Sequence, residues 1–183
     1  MQNKMKNKMK NKMKKTTLLF FIVLLFAQAV FSLQNRYSEK DMTSVILKDG
    51  NEYIVRVYGD CKNQIQIKEG VIITITNKIS NKEIARVKLF EIDENDPSCG
   101  YCGLTSNAGS FTLEAVLSFR HIYLTFSNIG ENSFVLTKFF ESYVVSRTSE
   151  EIEIKEKEHV ITKTISFSDM NEDLLTKLLS EEY

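Results

Sequence analysis

From Asp41 to about Phe167, apolar and polar residues alternate with period two, the mark of strands with one face buried. In DMTSVILKDGNEYIVRVYG, Val45 and Leu47 alternate with Ser44, Ile46 and Lys48. Asp49-Gly50 follows as a two-residue turn signal, because glycine takes positive φ without strain. Tyr53, Val55 and Val57 then share one face of the return strand, so the segment predicts a hairpin. IQIKEGVIITITN repeats the pattern, with Ile65 and Ile67 before a Lys68-Glu69-Gly70 turn or bulge and Val71, Ile73 and Ile75 after it. EIARVKLFEI sets Ala85, Val87 and Leu89 against Arg86 and Lys88.

The second half reads the same way. FTLEAVLSFRHIYLTFSN also fits a helical stripe through Leu113, Val116 and Leu117, but its phenylalanines and missing cap favour strand. SFVLTKFFESYVVSR is one long strand or two, and EEIEIKEKEHVITKTISF is a charged hairpin or one strand whose acids and lysines blunt an edge. One helix closes the chain, over about residues 169–181. Asp169 is placed to cap it, Glu172 stands three residues on, and Met170, Leu174 and Leu178 form a stripe widened by Leu175 and Leu179. Eight or nine strands and a terminal amphipathic helix predict an all-β fold, an antiparallel β-sandwich. The alternative is a small closed β-barrel that resembles lipocalins in outline. The chain has no Trp, so that family's Gly-x-Trp signature is absent.

The N-terminal residues break the alternation. MQNKMKNKMKNKMKKTT carries lysines and no acids, LLFFIVLLFA is apolar, and small residues follow. That order predicts a signal peptide over residues 1–32, cleaved after Ser32 or, less well placed, after Ala29. Gln28 interrupts the apolar run before it reaches the roughly 20 residues a spanning helix needs. Residues 33–183 then form a single β-rich domain with no membrane span, located in the periplasm or outside the cell. Met1, Met5, Met9 and Met13 each offer a start. Charge changes with cleavage. The whole chain balances 24 basic and 24 acidic residues; the seven lysines at or before Lys15 are lost, which leaves 17 against 24. An acidic domain without a Lys/Arg cluster does not fit nucleic acid, and a protein or carbohydrate partner remains.

Candidate chemistry gathers in DENDPSCGYCGLTSNAG, residues 93–109, read as a long loop. Cys99-Gly-Tyr-Cys102 resembles the active sites of the thioredoxin superfamily, which implies a thiol-disulfide oxidoreductase using Cys99 and Cys102. Such sites acidify the first thiol at a helix N-terminus, and GLTSNAGS does not read as helix. Cys61, Cys99, Cys102 and either His121 or His159 would suit zinc, but the second C-x-x-C is missing, so no metal or other cofactor is expected. A disulfide among Cys61, Cys99 and Cys102 is the favoured reading, with the local Cys99–Cys102 bridge ahead of a bridge to Cys61. The acids at 93–96 lack EF-hand spacing. No histidine pair, Gly-x-Ser-x-Gly or phosphate loop appears. Aromatic residues are plentiful, and the adjacent Phe139 and Phe140 must face opposite sides of a strand. Tyr101, Phe139 and Phe140 are therefore the ligand-contact candidates of an exported, non-enzymatic binding or structural module. A barrel carrying a small apolar ligand is a further alternative.

Overall fold

The computed structural model describes residues 37–60, 69–92, 100–130, 132–147 and 152–180. The chain divides into units Met1–Tyr37 and Ser38–Tyr183, and the fold below is that of the second. The signal-peptide reading, Ile65, Ile67, the acids at 93–96, Cys61 and Cys99 fall outside the described residues.

Nine strands are seen among the described residues: β1 (Tyr37–Ile46), β2 (Glu52–Asp60), β3 (Glu69–Asn77), β4 (Lys82–Glu91), β5 (Gly100–Asn107), β6 (Ser110–Leu117), β7 (Arg120–Gly130), β8 (Ser133–Arg147) and β9 (Ile152–His159). They form two antiparallel meanders, β1-β2-β3-β4 and β5-β6-β7-β8-β9. The sheets are not closed into a barrel, which sets aside the lipocalin-like alternative in favour of the sandwich. Each sheet buries one face, as period two requires. Val45, Val55, Val57, Val71, Ile73, Ile75 and Leu89 from the first sheet are fully buried, as are Leu113, Ile122, Leu124, Phe126 and Phe139 from the second. Tyr53 meets Phe134 edge-on across the sandwich at 5.3 Å, and Phe111, Phe126 and Phe167 interlock at 5.0–5.5 Å.

Three local features differ from the reading of the sequence. Gly100–Asn107, expected in a loop, is the edge strand β5, paired with β6. Cys102 is its bulged residue, since Tyr101 pairs with Ala115 and Gly103 with Glu114. The first hairpin turns over three residues, with Leu47 N bonded to Asn51 O and Gly50 at φ 84°. A left-handed third residue is the ordinary closure for such a loop. The third difference is the helix, α1, which spans Glu172–Ser180 after a 3₁₀ turn at Phe167–Asp169. Asn171 caps it, its Oδ1 accepting the Leu174 N–H at 2.9 Å, where Asp169 had been expected to do so. Glu172 instead accepts the Glu91 N–H and ties the helix to β4.

Leu89 and Phe90 are adjacent yet both buried. Phe90 stands at φ 64°, which turns its side chain to the inner face alongside its neighbour. Opposite it, Gly70 is at φ 71°, and a Cβ there would lie 2.6 Å from the Leu89 carbonyl oxygen. The kink needs glycine for both reasons.

Candidate binding face

The five-stranded sheet has two faces with different chemistry. Its inner face is capped by the helix: Leu175 and Leu178 join the core, and Leu178 and Phe139 line a common cleft. Phe139 is fully buried there, so of the adjacent pair only Phe140 reaches the outer face, where it is half-buried. Tyr101 also points inward. Its hydroxyl donates to Asp41 Oδ2 at 3.0 Å and joins the two sheets at the β1 and β5 edges. Burial, followed by the Asp41 charge, pushes its phenol above the ordinary range. Thr43 and Ser106 bridge the same edges at 2.6 Å.

The outer face carries a row set by register. Glu114 on β6 pairs with Tyr123 on β7, Tyr123 with Phe140 on β8, and Phe140 with Glu158 on β9. The next row runs Val116, His121, Ser142 and Glu156. The Tyr123 and Phe140 rings are 5.8 Å apart, tilted by 54°, and His121 lies 4.8 Å from Tyr123. These spacings are those of favourable aromatic contacts. The Tyr123 hydroxyl and His121 Nδ1 are 3.4 Å apart, and His121 Nε2 contacts Glu114. Cys102 sits exposed at its bulge, its thiol donating to Gly100 O at 3.4 Å. The residues following Cys99 form a strand, so the helix dipole that acidifies thioredoxin-type thiols does not follow the motif.

His159, on the lysine- and glutamate-rich strand β9, faces inward and stacks on Phe139 at 4.2 Å. It shares the buried carboxylate of Glu141, which is 2% exposed, with Arg120. Arg120 donates to Glu141 at 3.2 Å and to the Leu179 carbonyl at 3.4 Å, and lies 5.9 Å from the Tyr143 ring. His159 Nε2 is 3.1 Å from Glu141 but makes no hydrogen bond to it. His121 and His159 occupy opposite faces of one sheet, so no single metal could take both.

No protein-family model, curated protein or solved structure matches the chain. Among the described residues, no helix is long and apolar enough to cross a membrane.

Proposed function

We propose that this chain is an exported, non-enzymatic β-sandwich module that binds a protein or carbohydrate partner at the cell envelope or outside the cell. The observation that carries the reading is the outer row of the five-stranded sheet. Tyr123 and Phe140 stand side by side on adjacent rigid strands, on the face the helix does not pack against. A ring held by a sheet loses little freedom when a partner covers it, so its apolar area is available for affinity. The basic, apolar and small segments of residues 1–32 support export, and cysteines at 61, 99 and 102 fit a compartment where a disulfide persists.

Two measurements test it together. Cell fractionation with N-terminal sequencing should find the chain outside the cytoplasm, beginning at Leu33. Recovery of a partner by the wild-type protein should be lost with Tyr123→Ser/Phe140→Ser at unchanged folding. Uncleaved protein in the cytosol, or equal recovery by the variant, would contradict the proposal.

A further inference from the structure

The outer row is bounded by charge of one sign. Glu114 stands at one end and Glu158 at the other, with Tyr123 and Phe140 between them in direct register. Glu156 lies one row away, beside Ser142. Lys138, paired with Thr125, is the cation of the neighbouring row. One Glu114 oxygen contacts His121; the other faces Gly103, where a Cβ would be 3.6 Å away. Gly103 therefore sets no side chain of its own against that carboxylate. The Tyr123 phenol is held above the ordinary range, by burial first and then by the Glu114 carboxylate beside it.

Ring faces attract cations, and carboxylates beside them add charge-assisted hydrogen bonds. The same carboxylates penalise an acidic partner, and a neutral sugar, whose hydroxyls can donate to them, brings no opposite charge to offset theirs. Beyond residue 32 the chain is itself acidic, with 17 basic against 24 acidic residues, so long-range steering has the same sign. Resting on the binding-module reading above, we infer that the partner presents a basic, extended protein segment, whose lysine or arginine side chains lie over Tyr123 and Phe140 and end on Glu114 and Glu158.

The geometry also gives a spacing. Three strand-to-strand steps of about 4.8 Å separate the two carboxylate positions, or about 14 Å. An extended segment crossing the strands advances about 3.3 Å per residue, so two basic residues four apart span the row.

The test uses the full chain, expressed and processed by the cell, with residue-specific NMR or fluorescence anisotropy. Three probes are compared: the peptide Thr-Lys-Thr-Val-Thr-Lys-Thr, its counterpart with both lysines replaced by glutamate, and an N-acetylglucosamine hexamer. The expected result is binding of the lysine peptide about tenfold or more tighter than its glutamate counterpart. That binding should weaken with salt, shift Tyr123 and Phe140 resonances, and fall several-fold in Glu114→Gln/Glu158→Gln. These substitutions keep shape and remove charge, so they separate the charge from the fold. Binding of the sugar alone at the same rings would overturn the basic partner and leave the module reading standing. Equal binding of both peptides, or no loss in the glutamine variant, would likewise overturn the inference. Loss of all three probes, together with a failed partner recovery, would overturn both readings.

Discussion

Arg120 and Glu141 make an unequal pair, and the inequality predicts which substitution costs more. The Glu141 side chain is 3% exposed, whereas that of Arg120 is 43% exposed. Removing the guanidinium in Arg120→Met strands a buried carboxylate to which His159 makes no hydrogen bond. Breaking a buried pair from one side typically costs 3–5 kcal/mol. Water reaches the arginine side, which puts this pair near the lower end, about 3 kcal/mol. Glu141→Gln instead keeps the shape and an acceptor for Arg120, and leaves a cation that can turn to solvent. Its cost is that of a charge-assisted hydrogen bond, about 1.5–3 kcal/mol. The double variant Arg120→Met/Glu141→Gln should be more stable than the sum of the singles predicts, because no buried charge remains. Urea unfolding at neutral pH, read by tyrosine fluorescence and circular dichroism, measures all three. If Arg120→Met costs less than Glu141→Gln, or if the two effects simply add, the argument from the buried carboxylate is wrong.

The turn between β6 and β7 places Ser118 and Phe119 at φ 48° and 64°, and Phe119 is 73% exposed; Phe119→Gly should therefore raise stability by about 1 kcal/mol in the same assay, since glycine carries no left-handed penalty. Gly70→Ala should lower it by about 2 kcal/mol or more, from backbone overlap with the Leu89 carbonyl added to left-handed strain. The Glu172 carboxyl is raised above its usual range, by burial first. A folded-state value above the unfolded one means its ionisation opposes folding: the favourable contribution is present below the unfolded value, near pH 4, and is lost as pH rises through the folded one. Glu172→Gln should accordingly gain in midpoint over wild type at neutral pH and lose that advantage in acid, as thermal unfolding across pH would show.

The sandwich was legible because its central strands carry an unbroken period of two: Val71, Ile73 and Ile75 are each buried, as are Tyr53, Val55 and Val57. β5 was not legible. It offers only Tyr101 and Leu104 to the core, and the bulge at Cys102 shifts the alternation by one. The β6–β7 turn lacks the glycine or asparagine that marks positive φ in a sequence, so Ser118-Phe119 read as strand. Of the contact candidates, opposite facing for Phe139 and Phe140 followed from strand geometry alone. Tyr123 and Glu158 were invisible as the neighbours that flank Phe140, because each meets it only through a register linking residues far apart in the chain. His159 was missed because IKEKEH reads as solvated, while pairing with the buried Phe139 and the cover given by the helix decide its face.

The most direct measurement is photocrosslinking in living cells, with a photoreactive phenylalanine analogue at Phe140 and, as the control, at the exposed turn residue Phe119. A discrete adduct is expected from position 140, recovered outside the cytoplasm, and none from position 119. No adduct at 140, or one formed only with cytosolic proteins, would contradict the proposed exported binding module.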